Sequence, residues 1–518
     1  MEISLFPASA VFPGALPHPV FIMTSLGPIF ADDLARVKPG DRLRLTISAQ
    51  TSDAAALAQA ALEARARGER VLVVCADPAD VPRLAQEMPW FEPKLDVRPL
   101  PDWETLPYDV LSPQEELVSE RLEALYRLTA PTGGADVLLT SAVTASQRLS
   151  PVSYIGANTF FFHQGEQISL TTLQKRLAAA GYANVKQVLA AGEFAVRGSI
   201  VDVFPMGSER PFRLDFFDDE IESIRWFDVD TQRSMESAEE IRLLPGHEFP
   251  VDPEALLAFR QRWRREFAGD PKKSIVYCDI EKEILPPGIE YYLPLFFDET
   301  AALTDYLPPN ARVFLLGDIE AALQAFGRDM ASRYKVLAAD PQRPALAPER
   351  IWLKPEEFFK SLANFARFTV EKKENAEDLK RLSGIEVDRK SQNPVGKLLE
   401  RTRESAMKGV RTLIAAPSAG RMETMSQLLR TGGLSVEEFP DWQTFLDADS
   451  ALGIAAAPLF SGAVFHHPEI VILSEAELYA ASPRRHRLRR VKHATTLEMM
   501  VRDVAELKPG DAVVHADH

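Results

Sequence analysis

The hydrophobic positions of the chain fall first into short apolar runs separated by helix-like stretches. From Asp41 the order is the strand-like DRLRLTIS, a polar loop, an alanine-rich helix and the apolar run ERVLVVCAD. A helix at 120–128 and apolar runs at 135–142 and 311–318 continue this alternation. Because strands that alternate with helices form parallel sheets, the pattern predicts an α/β fold.

Between residues 151 and 246 the pattern changes to short alternating strands and turn residues, which predicts a β-rich domain. Farther on, GVRTLIAAP and EIVILSE enclose a helix, as in a second, smaller α/β unit. Because 518 residues exceed what one hydrophobic core holds, we predict a multidomain α/β protein. The predicted segments are an amino-terminal arm at 1–40, an α/β domain at 41–150 and 247–370 with the β-rich domain 151–246 inserted in it, a linker at 371–395, a small α/β domain at 396–480, a basic linker helix at 481–502 and the start of a further domain at 503–518.

The loop SAQTSDA at 48–54 lies between the first strand and the first helix, where P-loop proteins bind nucleotide phosphates. Such a loop needs glycines, so that backbone amides can approach the phosphates, and a lysine followed by serine or threonine. Residues 48–54 include neither glycine nor lysine. We therefore predict a degenerate P-loop-like domain without ATP, and a chain without catalytic residues or cofactor.

The acidic, histidine and cysteine residues suggest no metal site or disulfide. The strand in VILSEAELY (471–479) ends in acids, but without a P-loop such an end is more typical of a structural role. His466 and His467 are adjacent, so a strand would point them to opposite faces. Cys75 and Cys278 are far apart in sequence, and Cys75 lies in an apolar run, which favours reduced thiols and a cytoplasmic protein.

Charge opposes strong binding to DNA. The chain has 59 Lys and Arg against 75 Asp and Glu, for a formal net charge of −16. Any DNA binding is therefore expected to be weak, local and sensitive to salt. The run RRHRLRRVK at 484–492 is more typical of a solvated face than of a DNA reader. No apolar run reaches 18 residues, so we expect no membrane span.

The segment FRLDFFDDEIESIRWF at 212–227 has the clearest functional pattern. A period of two places Phe212, Leu214 and Phe216 on one face and Arg213, Asp215 and Phe217 on the other. The same alternation in 194–204 sets Arg197 and Ser199 opposite Val196 and Ile200. An aromatic residue flanked by arginines on an outer sheet face is typical of a protein-binding hot spot. Alternatively, Phe217 packs under a loop or a neighbouring domain.

Several short motifs of this sequence closely resemble motifs of the bacterial transcription-repair coupling factors. They include GEFAVRG, RLDFFDDEI, LLPGHEFP and LPPGIEYY, with DWETLPYDVLSP and SERLEALYRL upstream and VILSEAEL and ELKPGDAVVHADH downstream. The resemblance covers roughly 41–518. It implies a module similar to the excinuclease protein UvrB that has lost its ATP site. In this chain the stretch 92–109 contains a single tyrosine, Tyr108, where UvrB has a tyrosine-rich hairpin that inserts at DNA damage.

The resemblance also implies partners and site residues. In the family the β-rich domain docks UvrA, the damage-recognition protein, and its binding residues fall here on Arg197, Arg213 and Phe217. As outward side chains, Arg213 and Phe217 are expected to contribute little to the stability of the domain. The chain would act as a non-catalytic adaptor that recruits nucleotide excision repair, with RNA polymerase bound through the domain that begins near 503. The alternatives are a fragment of an ATP-dependent DNA translocase, a UvrB-like damage-loading protein, and a decoy that binds UvrA without coupling to transcription.

Overall fold

A six-stranded parallel sheet forms the centre of the first α/β part. Its strands are β1 Arg42–Ser48, β2 Val71–Cys75, β3 Val97–Pro99, β4 Val137–Ser141, β13 Arg312–Leu316 and β14 Ala366–Lys373. They are arranged in the order β1-β14-β13-β2-β4-β3. Strands β2, β4 and β13 are buried along their whole length, as expected where helices cover both faces of a parallel sheet. These strands are the apolar runs from which the sequence predicts the α/β fold.

The computed structural model describes residues 27, 29–30, 34, 36–130, 134–388, 391 and 393–479. Much of the predicted arm at 1–40, and all of the predicted segments 481–502 and 503–518, lie outside these residues. The helices within them are α1 Asp53–Ala66, α2 Asp80–Phe91, α3 Glu115–Thr129, α4 Ala142–Ser146, α5 Val152–Ala157, α6 Leu170–Ala179, α7 Pro253–Glu266, α8 Ile275–Glu281, α9 Ile319–Leu337, α10 Pro348–Ile351, α11 Pro355–Ser361, α12 Ala376–Leu382, α13 Gly396–Met407, α14 Ala419–Thr431, α15 Trp442–Asp447 and α16 Glu475–Leu478. Among these helices, none is both long and apolar enough to cross a membrane.

The β-rich part contains a second six-stranded sheet. Its strands are β6 Ala183–Asn184, β7 Glu193–Arg197, β8 Ile200–Val203, β9 Phe212–Phe217, β10 Glu220–Phe227 and β11 Ser234–Ala238, beside a two-stranded sheet of β5 Phe160–His163 and β12 Glu240–Leu243. Neighbouring strands of the larger sheet are antiparallel except β6 and β7. The inward side chains of β9, Phe212, Leu214 and Phe216, are buried in one core with Leu173 and Leu177 of α6.

A third sheet lies in the last described part of the chain. Its strands are β15 Arg411–Ala416, β16 Glu437–Phe439, β17 Leu452–Ala456, β18 Ala463–His466 and β19 Glu469–Leu473. They are arranged in the order β16-β17-β15-β19-β18, and only β18 runs antiparallel to its neighbour. The predicted strands GVRTLIAAP and EIVILSE are β15 and β19, and α14 is the helix between them.

The first part of the predicted linker at 371–395 has regular secondary structure. Residues 371–373 are the end of β14, which lies between β1 and β13 in the central sheet. Helix α12 occupies 376–382, and the side chain of Asn375 caps its first turn. Lys372 and Lys373 lie at the exposed end of the strand, and Glu377, Lys380 and Arg381 lie on the short helix. Charge alone therefore does not indicate the absence of regular structure in this part of the stretch.

Candidate protein-binding surface

The outward side of the β7–β10 sheet is the surface on which the predicted site residues lie. We call it the outer face and define it by Arg197, Ile200, Asp202, Arg213, Asp215 and Phe217. Phe217, at the end of β9, is 70% exposed. The turn Asp218–Asp219 follows it, with Asp218 at a φ of +51°, and leads into β10 as the DDE sequence predicts. The sequence left open that Phe217 packs under a loop. Within the described part of the chain this alternative is wrong, because the side chain is largely exposed.

Ile200 lies on the same face as Arg197, contrary to the sequence expectation. The two residues are directly paired between β7 and β8, and directly opposed residues of an antiparallel pair share a face. A two-residue turn, Gly198–Ser199, joins the strands, with Gly198 at a φ of +64°. Because the turn restarts the alternation, a period of two cannot be counted across it. Ile200 thus contributes a partly exposed apolar side chain to the outer face.

Arg197 and Arg213 share one carboxylate that the sequence did not single out. Asp202 is fully buried, and its carboxylate accepts hydrogen bonds from both guanidinium groups. The side chain of Arg197 remains 50% exposed, whereas that of Arg213 is only 15% exposed. Arg213 is therefore not the freely outward side chain that the sequence predicts, and we expect its loss to destabilise the domain, because a buried carboxylate would have one partner fewer.

A second polar cluster lies at the amino terminus of α1, where the loop 48–54 ends. The carboxylate of Asp53 accepts a hydrogen bond from the backbone N–H of Ala54 at 2.9 Å. Arg83 of α2 donates to both oxygens of Asp53 at 2.8 Å, and Lys372 of β14 lies 2.6 Å from one of them. A carboxylate and two cations thus meet at the amino terminus of α1, the kind of helix end at which many proteins bind anions.

The third sheet packs against this same position. The N–H of Val464 donates to the carbonyl of Gln50 at 2.8 Å, and the Thr51 hydroxyl donates to the carbonyl of Val464 at 3.2 Å. Glu87, which also pairs with Arg83, accepts the N–H of Phe460 at 3.1 Å. Beside these contacts, aromatic rings of α2 meet rings of α15 and β18, with centroids 5.5–6.3 Å apart, in the pairs Trp90–Trp442, Phe91–Trp442 and Phe91–Phe465.

The ionised Asp53 carboxylate should stabilise the fold, and this contribution should be lost in acid. Burial opposes ionisation of Asp53, but the hydrogen bond and charge of Arg83, with Lys372, outweigh it and lower the pKa from 3.8 to about 2. A folded pKa below the unfolded value stabilises the fold above about pH 4, and the contribution is lost as pH falls toward 2. We expect Asp53→Asn to lower the free energy of unfolding at pH 7 by roughly 2 kcal/mol.

The difference in the free energy of unfolding between wild type and Asp53→Asn should become smaller as the pH falls from about 4 toward 2. Urea denaturation followed by circular dichroism at a series of pH values measures it. Asp447→Asn, the same substitution at an exposed residue, should change the denaturation midpoint little at any pH. A wild-type advantage over Asp53→Asn that does not depend on pH would contradict the assignment.

The other acidic and thiol candidates take part in ordinary structural contacts. Glu475 pairs with Arg421, and Glu477 accepts hydrogen bonds from the backbone N–H and hydroxyl of Ser474 at the start of α16. Cys75 is buried in β2, where burial raises the pKa of its thiol, and neither it nor Cys278 forms a disulfide.

Comparison with known proteins bears on both the outer face and the third sheet. The family model described as the UvrB interaction domain matches residues 160–249, which include the whole outer face. The model described as the MFD D3 domain matches residues 406–478. The transcription-repair-coupling factor of Escherichia coli (strain K12) is 36% identical over 458 residues, which are 86% of this chain and 39% of the relative. The transcription-repair-coupling factor of Haemophilus influenzae is also 36% identical, over 82% of this chain and 37% of the relative.

Over most of its length the chain matches a region of the transcription-repair coupling factors, including two of their domain models. It spans about two fifths of the length of these curated relatives. The family resemblance of its short sequence motifs is therefore confirmed.

Three of the short motifs that carry the family resemblance meet in one buried network. Arg121 of SERLEALYRL pairs with Glu248 of LLPGHEFP at 2.6 Å, and both side chains are almost fully buried. The indole N–H of Trp103, from DWETLPYDVLSP, donates to the same Glu248 carboxylate at 3.1 Å. Arg121 also donates to the carbonyl of Pro101 and to Oε1 of Gln147. The motifs that carry the family resemblance thus include polar residues that connect segments distant in sequence.

Helix α3 also holds the β-rich part through two of its other polar side chains. The hydroxyl of Ser119 accepts the N–H of Gly207 at 2.7 Å, and Glu123 pairs with Arg242 of β12. Ser119, Arg121 and Glu123 are all buried. The sequence indicated a helix and a family motif here but not these contacts, because buried polar partners that are distant in sequence leave no periodic signal. These contacts fix the base of the domain that carries the outer face.

Proposed function

We propose that the outer face binds UvrA and that the chain is a non-catalytic adaptor region of a transcription-repair coupling factor. In this role it recruits nucleotide excision repair to a stalled RNA polymerase. One observation carries the proposal: an exposed phenylalanine and a half-exposed arginine, Phe217 and Arg197, share a sheet face inside the segment that matches the UvrB interaction domain. Contact with RNA polymerase would involve the segment from 503 onward.

The chemistry of the outer face indicates what it would recognise. Aromatic residues and arginine are enriched at protein interfaces and among the residues that dominate binding energy. Phe217 offers an apolar anchor, Ile200 adds partly exposed apolar surface, and Arg197 offers guanidinium donors to a carboxylate. The complementary surface on UvrA is therefore an apolar pocket flanked by an acidic side chain.

The Asp53 cluster supports the non-catalytic part of the proposal. Asp53 already occupies the amino terminus of α1 and is held by Arg83 and Lys372. A nucleotide phosphate at this place would meet a buried carboxylate, and like charges at such distances repel strongly. We propose that this degenerate P-loop-like site does not bind ATP and that it serves instead as a contact between the central and third sheets.

Calorimetric titration of purified UvrA into the chain tests the proposed binding. We expect a complex whose affinity falls about tenfold, or about 1.4 kcal/mol, when Arg197 is replaced by alanine. Arg430→Ala is the matched control, since Arg430 is 53% exposed and pairs with one carboxylate, Glu438, away from the outer face. The control should bind within twofold of wild type. Equal losses in both variants, or none in either, would contradict the proposed surface.

A further inference from the structure

Asp202 lies beneath the arginines of the outer face, and its contacts with them are unequal. Nε and Nη2 of Arg213 donate to the two carboxylate oxygens of Asp202 at 2.6 and 3.0 Å. Arg197 reaches the same carboxylate through Nη2 alone. The carboxylate has no exposed surface, so a partner protein cannot contact it directly. Its effect on binding must pass through the two guanidinium groups.

Arg213 uses most of its hydrogen-bonding capacity inside the domain. Besides its two bonds to Asp202, its Nη1 donates to the carbonyl of Gln232 and to the hydroxyl of Ser234, both at 3.2 Å. The guanidinium also lies over the ring of Phe227, 5.0 Å from its centroid. Four of the five N–H donors of this arginine are therefore engaged, which leaves little capacity for a partner.

Arg197, in contrast to Arg213, is less engaged in contacts inside the domain. It is the last residue of β7, immediately before the Gly198–Ser199 turn, and half of its side chain is exposed. A free arginine side chain loses considerable rotamer entropy when a complex forms. The bond to Asp202 orders Arg197 before binding, so that less of this entropy remains to be lost.

We propose that Asp202 is a positioning residue of the UvrA-binding surface. It holds the guanidinium of Arg197 in place for the partner, and Arg213 anchors Asp202 and does not itself contact UvrA. The inference rests on the proposed function and deepens it, because it divides the two arginines into one that contacts and one that supports.

A double-mutant cycle with Asp202→Asn tests the inference. UvrA affinity is measured by calorimetry well below the melting temperature of each variant, so that incomplete folding does not contribute. We expect Asp202→Asn alone to weaken binding five- to tenfold. In an Arg197→Ala background the same change should weaken it less than twofold, because the group that Asp202 positions is gone. In a Phe217→Ala background the full five- to tenfold loss should remain.

The outcomes separate this inference from the proposed function. If Arg197→Ala and Phe217→Ala bind like wild type, the surface itself is wrong. If those two variants lose affinity and Asp202→Asn does not, or if its loss is the same with and without Arg197, positioning by Asp202 is overturned. Should Asp202→Asn melt below the assay temperature, Arg213→Lys replaces it in the cycle. That variant keeps the charge but loses the two-point contact with Asp202, and the same non-additivity with Arg197→Ala is expected.

Discussion

Replacing Phe217 with alanine should weaken UvrA binding by about 2 kcal/mol or more, about thirtyfold, while the chain remains folded. The expectation follows from the 70% exposure of a large aromatic side chain at the end of β9. An exposed side chain contributes little to its own domain, so the melting temperature should stay close to that of wild type. Calorimetry with UvrA and a thermal melt on the same preparations measure both effects.

Phe161→Ala is the matched control for Phe217→Ala. Phe161 is 44% exposed and lies on β5 of the two-stranded sheet, where it pairs with Arg242 of β12. The control should bind UvrA like wild type. If Phe217→Ala unfolds the domain, Phe217 has a structural role that its exposure does not suggest. If it folds and binds normally, Phe217 is not an anchor.

Replacing Glu248 with alanine should produce the largest loss of stability of the variants considered. The change removes the carboxylate that pairs with Arg121 at 2.6 Å and accepts the indole N–H of Trp103. The Arg121 guanidinium would then remain buried without its counter-charge, which typically costs about 3–5 kcal/mol. Urea denaturation followed by circular dichroism should show a lower midpoint for the transition that includes α3 and the β-rich part.

Glu438→Ala gives the comparison for a solvent-exposed ion pair. Glu438 pairs with Arg430 at 2.6 Å, but both side chains are substantially exposed. Pairs of this kind contribute about 0–1 kcal/mol, and the carboxylate also accepts the Ser426 hydroxyl at 2.9 Å, so this variant should lose much less stability than Glu248→Ala. Similar midpoints for Glu248→Ala and Glu438→Ala would show that the buried network does not hold these segments together.

The sequence predicted those parts of the structure that depend on local periodicity. Strands β2, β4 and β13 are uniformly apolar because both of their faces are buried. Phe217 could be placed on the outer face because β9 alternates without interruption. The inference failed for Ile200, where a two-residue turn restarts the alternation, and for β14, whose charged end resembles a linker.

The remaining features depend on partners that are distant in sequence. Asp53 and Lys372 are separated by more than three hundred residues, and no pattern near either one indicates the other. Arg121 and Glu248 each lie in a motif typical of the family, but their pairing is visible only in the folded structure. Asp202 resembles an ordinary strand residue until the register places it opposite Arg213. Long-range polar contacts of this kind could not be predicted from one sequence.

Hydrogen–deuterium exchange of the chain with and without UvrA most directly tests whether the outer face is the binding surface. We expect UvrA to slow amide exchange at residues 197–200 and 215–222, which include the two turns at the edge of this face. Exchange at 160–163 and at 437–439 should be unchanged. Protection confined to the third sheet, at 411–473, with unchanged exchange around Arg197 and Phe217, would contradict the account.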